Sequence, residues 1–322
     1  TTDKTGSAFI SDIINLSGKF TFSTRTDALV YWEPEFEYRM DAEKKFLTYQ
    51  NLYGRLNHAV SQRMFLTLSD RFRYQQKDGQ TGVAGGGVNN SDQNYMENDL
   101  LGSVNYQLNA VSDVKLGAGY EFRVWDDENY GTTLGNDFQQ LKADATSLRQ
   151  FIPNRTLGVL GVNYVNHEYE GSRGGFDAVS AVLGVDQNFN PNFTGFGRLG
   201  ASFNSVDNGG GVTTDTTSPY LQGGVSFNPS ARTSLTGSLG YSMYRSENSV
   251  YNAQDRFNIG LGARHDITAK INIAAALSYI YSFYDGSYVR GAGVAPDAKD
   301  DFVTFSLRCA YQINRNNFLE AG

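Results

Sequence analysis

Residues 112–125 read SDVKLGAGYEFRVW. One parity holds Val114, Leu116, Ala118, Tyr120, Phe122 and Val124. The other holds Lys115, Gly117, Gly119, Glu121, Arg123 and Trp125. A strand sends successive side chains to opposite faces, so this stretch has one apolar face and one wet face. A helix needs apolar spacings of three and four, and that spacing fails here. The same alternation recurs along the chain. Met64, Leu66, Leu68, Phe72 and Tyr74 alternate with Thr67, Ser69, Arg71 and Arg73, and Val303, Phe305, Leu307, Cys309 and Tyr311 alternate with Thr304, Ser306, Arg308 and Gln312.

Read this way, strands are predicted at roughly 11–23, 28–40, 46–58, 62–75, 94–108, 112–125, 138–150, 156–169, 177–189, 193–205, 218–228, 233–246, 255–265, 270–284 and 301–313, with a stub at 317–322. Short turns near 24–27, 59–61, 109–111, 151–155, 190–192, 229–232, 266–269 and 314–316 alternate with connections that are mostly long and polar, such as 76–93 and 285–300. Strands of about ten residues joined by alternating short turns and long loops are the pattern of a transmembrane β-barrel, with an apolar lipid face and a polar lumen.

Composition agrees. Hydrophobic residues make up 40% of the 322, lean for a chain of this length that must fill a dry core. A barrel around water has no such core. The 20 Tyr and 21 Phe suit half-buried strands, and Trp32, Trp125, Tyr164, Tyr281 and Tyr284 are placed to form interfacial girdles. The single Cys309 excludes an intramolecular disulfide framework. A net charge of -7 without a basic tract argues against nucleic acid as a partner.

Three stretches carry a family likeness: SDIINLSGKFTFS followed by TDALVYWEPEFEYRM, the hairpin TYQNLYGRLNHAVSQRMFLTLSDRFRY, and the closing NNFLEAG. In these the chain resembles the putative β-barrel porins of bacterial outer membranes, and most of all the second such family. The resemblance runs over nearly the whole chain. It implies an outer-membrane barrel and no catalytic residues.

We therefore expect an all-β protein: a transmembrane antiparallel up-and-down β-barrel, a single domain over 1–322. If short turns are periplasmic, both chain ends point outward, whereas bacterial barrels usually have even strand counts and periplasmic termini. The expectation is a chain missing a strand at each end, with about 18 strands in the complete protein and 16 as the alternative.

The wet parity carries the candidate site. Glu33, Glu35, Glu37 and Arg39 share it on the second predicted strand, Arg71 and Arg73 on the fourth, Glu97 and Asp99 on the fifth, and Glu121 and Arg123 on the sixth. Adjacent strands lie about 4.8 Å apart, so Arg71 and Arg73 can pair with Glu97 and Asp99. The set reads either as a solvated wall of paired charges or as a charged, pore-lining constriction that filters solutes. Later strands are poorer in charge, so the opposite wall should be lined by Ser, Thr, Asn and Gly.

Two residues resist the pattern. Asp70 falls on the apolar parity between Leu68 and Phe72, which calls for a bulge that turns it inward or for a contact with another subunit or protein. Pro34 lacks the N–H that a closed ladder needs, so it should cost a bond or mark a bulge. The three His do not make a triad: His58 and His265 sit on the apolar parity beside short turns, and His167 on the wet parity near an outer strand end, all read as solvated or interfacial. The Gly runs at 84–88 and 208–212 read as loop tips, not phosphate cradles.

The function expected from this reading is an outer-membrane channel for passive diffusion of small hydrophilic solutes, with no enzymatic activity, no cofactor and no metal. Its partners would be the lipid bilayer of the bacterial outer membrane, the solutes, and a homo-oligomer or an outer-membrane partner protein. The alternative is a structural barrel that anchors a partner protein or surface layer through loops 76–93 and 285–300.

Overall fold

The structure, a computed structural model, describes residues 9–40, 46–76, 94–125, 137–170, 174–208, 212–246, 251–288, 296–312 and 318–321. Seventeen strands form one antiparallel sheet: β1 (Phe9–Ile13), β2 (Leu16–Ser23), β3 (Thr26–Arg39), β4 (Phe46–Ala59), β5 (Met64–Gln75), β6 (Tyr95–Asn109), β7 (Ser112–Trp125), β8 (Phe138–Ile152), β9 (Thr156–Tyr169), β10 (Gly175–Asn190), β11 (Phe193–Asp207), β12 (Thr213–Ser230), β13 (Thr233–Arg245), β14 (Ala253–Asp266), β15 (Ile271–Tyr284), β16 (Ala298–Gln312) and β17 (Phe318–Ala321). From β2 onward, each strand pairs with the next in sequence. Because β1 and β2 both pair with β3, seventeen strands fill sixteen wall positions, the up-and-down order expected.

Pro34 accounts for the division of the first wall position. Ile13 pairs with Glu35 and Leu16 with Trp32, so the register is the same on both sides of the break and there is no bulge. Ile14 N–H still donates to Pro34 O at 3.0 Å. The return bond is the one a proline cannot make.

The short turns share one construction. At the end of a strand, a Ser, Thr or Asn side chain accepts the backbone N–H two residues on: Ser23 from Arg25 (3.1 Å), Ser61 from Arg63 (3.2 Å), Asn109 from Val111 (3.0 Å), Asn190 from Asn192 (2.9 Å), Ser230 from Arg232 (3.2 Å) and Thr268 from Lys270 (3.2 Å). Such side chains mimic a backbone turn, which is why these residues stop a strand. The carbonyl of the capped residue then takes an N–H from the following strand, as Arg25 O does from Ala59 and Arg232 O from Asp266, both at 2.8 Å. Each turn thus pins three strands. The turn at 153–155 differs: Asn154 has a φ of 58° and Arg155 N–H bonds back to Ile152 O at 3.1 Å.

The two faces of the sheet are unlike. Outward residues are large, apolar and exposed, with Leu183 at 65% and Phe305 at 66%. Most buried side chains lie on the inner face and near the loop end; Met243 and Ala253, on the outward parity of β13 and β14, are buried as well. The predicted strands match these elements within a few residues, except β12. It begins at Thr213, inside a predicted loop, because Thr213–Thr217 lacks apolar alternation while its β-branched residues still suit a ladder with β11.

Candidate functional site at the loop end of the inner wall

The charges of β5 to β8 converge in two linked groups. Glu97 is 1% exposed and is held from both sides by Arg73 and Arg123. Arg123 Nε donates to Glu97 Oε2 at 2.8 Å, and the guanidinium lies over Tyr95 (4.6 Å to the ring centroid), Phe138 (5.2 Å) and Trp125 (5.6 Å). Register explains the meeting: Glu97 is the cross-strand partner of Arg73 on one side and of Arg123 on the other. Beside it, Lys142 reaches Glu121 Oε2 at 2.5 Å and stands 3.9 Å from Asp99 Oδ1. Three cations thus face three carboxylates.

Of the expected pairs, Arg73–Glu97 forms. Arg71–Asp99 does not among the described residues, although the two are in register. Arg71 instead stacks over the Tyr53 ring at 5.4 Å, and Asp99 turns toward Lys142. Lys142 was missed by the sequence reading. Its signal was available, since its neighbours Leu141 and Ala143 are on the apolar parity.

On β3, Glu33 accepts from Asn15 Nδ2 at 3.2 Å and from the Tyr31 hydroxyl, and Glu35 accepts from Ser11 Oγ at 2.7 Å. Both carboxylates are held by neutral donors. Glu37 is buried. The Arg39 backbone pairs with Phe9, but its side chain lies outside the described residues. The far wall is a polar ladder without charge: Ser180 Oγ donates to Ser202 Oγ (3.0 Å), Ser202 Oγ to Asn204 Oδ1 (2.7 Å), and Asn204 Nδ2 to Ser218 Oγ (3.0 Å). Nearer the turns one ion pair joins this wall, Arg198–Asp186 at 2.5 Å.

The loop end holds a feature that parity did not announce. The β12–β13 ladder stops at Leu221/Tyr241, while β11–β12 continues to Asp207/Thr213 and β13–β14 to Arg245/Ala253. Above that seam the tip of the β13–β14 hairpin leans inward. Met243 and Ala253 bury against Phe176, Ala178 and Val206 of β10 and β11. Tyr169 OH on β9 donates to Ser246 O at 2.9 Å, and Asn252 Nδ2 donates to Asp207 O at 2.8 Å. Asn208 Nδ2 also donates to Ser287 O at 2.6 Å, in the 3-10 turn Gly286–Tyr288, which ties the end of β11 to the segment after β15. The tip and the charged wall together narrow the loop end.

Several expectations change here. His167 is not solvated: it is fully buried among Phe138, Tyr169 and Phe176, with ring centroids 4.8, 4.5 and 5.4 Å away. Trp125 and Tyr284 are buried rather than girdle residues, whereas Trp32 is exposed and donates to Gln50 Oε1 at 3.0 Å. His58 and His265 each bond a turn threonine, Thr26 and Thr233, at 2.9 Å. Asp70 lies in no bulge. Both of its ladders run without a shift, so it stays on the outer face. The proposed anchoring loop 76–93 is, but for residue 76, outside the described residues, as are 289–295 of 285–300. The Gly run at 84–88 is outside them too, as are 209–211 of 208–212.

No protein-family model matches the chain, and no curated protein matches it. Solved structures do, at the level of fold. The FrpB iron transporter from Neisseria meningitidis (F5-1 variant) is 14% identical over 95% of this chain and 60% of its own, with a TM-score of 0.55. The unliganded ferric citrate transporter FecA is 11% identical over 96% of this chain and 54% of its own, with a TM-score of 0.52. The copper transporter OprC is 11% identical over 95% and 61%, with a TM-score of 0.51. This chain thus spans 54% to 61% of the lengths of these three. Its fold is that of an outer-membrane β-barrel.

Proposed function

We propose that the chain is a channel wall of the bacterial outer membrane, through which small hydrophilic solutes pass by diffusion, in keeping with its resemblance to the putative β-barrel porins. The observation that carries this reading is the division of solvents across one sheet. An apolar outer face backs an inner face of paired charges on β5–β8 and a Ser/Asn ladder on β10–β12. A polar inner face with apolar surroundings is what a water-filled pore requires. That the fold neighbours are transporters of iron, ferric citrate and copper agrees with passage through the barrel. The residues assigned to the pore are Glu33, Glu35, Glu37, Arg39, Arg71, Arg73, Glu97, Asp99, Glu121 and Arg123. The test is single-channel recording in planar bilayers with protein whose folding is verified by heat-modifiable gel mobility. Discrete conductance steps support the proposal.

A second reading has its own observation. The inward lean of the β13–β14 tip, held by Tyr169 and Asn252, favours a closed barrel that anchors a partner protein. Folded protein that never conducts would select it.

A further inference from the structure

The outer face of β4–β6 holds a polar pair where its neighbours are apolar. Asp70 is exposed on β5, and Asn98 Nδ2 on β6 donates to its Oδ1 at 2.8 Å. Leu52, Leu56, Leu68 and Leu100 surround the pair and are themselves exposed. Asp70 is the seventh residue of β5. At ~3.4 Å per residue and a strand tilt of ~40°, it stands about 15 Å from the turn end, near the middle of a lipid band ~25 Å tall. Its cross-strand partner is Gly54, where an added Cβ would meet nothing within 4 Å. The pair therefore borders a notch.

A carboxylate facing lipid at mid-depth is unfavourable, and acyl chains offer it no donors. We infer that a second copy of this chain docks here, about a two-fold axis along the membrane normal between β5 and β6. Such an axis sets each Asp70 against Asn98 of the other copy, an isologous contact in which one patch completes itself. The donor capacity exists. Asn98 has two N–H groups. One serves its own Asp70, and the other leans toward Arg71 O at 3.5 Å, a poor bond that is readily exchanged. An unrelated partner would have to bring a matching donor, whereas the second copy brings it by symmetry. The four leucines seal the pair from lipid, and the Gly54 notch permits close approach.

This inference rests on the membrane placement proposed above and not on conduction. The test uses full-length protein in its membrane, in a Cys309→Ser background, with single cysteines at Leu68, Leu100 or, on the outer face of β13, Leu239. Oxidation should link Leu68→Cys and Leu100→Cys into dimers at least fivefold more than Leu239→Cys. Adding Gly54→Leu should abolish the linking while heat-modifiable folding is kept, because the new side chain enters open space. Equal linking at all three positions, or linking untouched by Gly54→Leu, overturns the inference. So does recovery of the chain as a monomer bound through this face to a different protein. Conductance recorded on the same samples separates the two proposals: silent dimers would count against the channel alone, and conducting monomers against the dimer alone. Extraction without detergent would overturn the membrane placement, and both proposals with it.

Discussion

Replacing Glu97 by Gln should be among the most damaging single changes in the inner wall. The carboxylate is 1% exposed, Arg123 is 8% exposed, and the Arg73 side chain is 37% exposed. Gln keeps the volume and removes the charge. The buried Arg123 guanidinium then loses the charge of Glu97, and breaking one side of a buried pair typically costs about 3–5 kcal/mol. The Arg73 arm adds little, since a pair this open to water is worth at most about 1 kcal/mol. Three ring faces still cover Arg123 and soften the loss, each by about 0.5–1 kcal/mol at most. The expected net effect is about 3 kcal/mol, on the order of a hundredfold in the unfolding equilibrium.

Urea titration of protein in lipid vesicles measures this. The chain has two Trp, and Trp125 stacks on Arg123, so a Trp32→Phe background makes fluorescence report on the site itself. Arg73→Leu in the same background should cost about 1 kcal/mol or less. If Glu97→Gln fell within about 1 kcal/mol of the parent, or if Arg73→Leu cost as much, burial would not be setting the strength of this network.

Three further outcomes follow from the geometry. Removing two of the bonds that hold the hairpin tip, with Tyr169→Phe and Asn252→Ala together, should raise single-channel conductance at least twofold; an unchanged step size would mean that these bonds do not set the width of the path. Because Glu33 and Glu35 are held by neutral donors, these two carboxylates bring negative charge to β3 and should favour cations. Glu33→Gln with Glu35→Gln should then shift the reversal potential in a salt gradient toward anions, and no shift would remove β3 from the path. Pro34→Val restores a donor opposite Ile14 O, worth about 0.5–1.5 kcal/mol against about 0.4–1 kcal/mol of lost chain stiffness; the amide at 34 should exchange as slowly as its strand neighbours, and loop-like exchange would refute the ladder reading.

The wall was largely legible because its two faces meet different media, and period two records that difference directly. SDVKLGAGYEFRVW gave β7 at the boundaries observed, and placed Glu121 and Arg123 inward. The partner of Arg73 was also readable, since antiparallel register follows once the strands are placed. What parity could not supply was rotamer choice. Arg71 and Asp99 are in register, yet one lies on Tyr53 and the other turns to Lys142. Nor could it say where a ladder ends. Nothing in the alternation of β12 or β13 marks the stop at Leu221/Tyr241, because the residues above it still pair on their other sides.

Parity also identifies a polar face without saying what satisfies it. His167, Asn204 and Ser202 all fall on the wet side of their strands, and solvation was the natural expectation. In the folded chain Ser202 is 2% exposed and bonds Ser180 and Asn204, while His167 is enclosed by aromatic rings. A wall around water needs polar groups, but at its narrow end those groups come close enough to meet one another. Their hydrogen bonds then hold the narrowing in place. On this view specific protein–protein hydrogen bonds hold the loop end, and loosening it requires breaking particular bonds at Tyr169, Asn252 or Glu97 rather than adding charge to an already solvated surface.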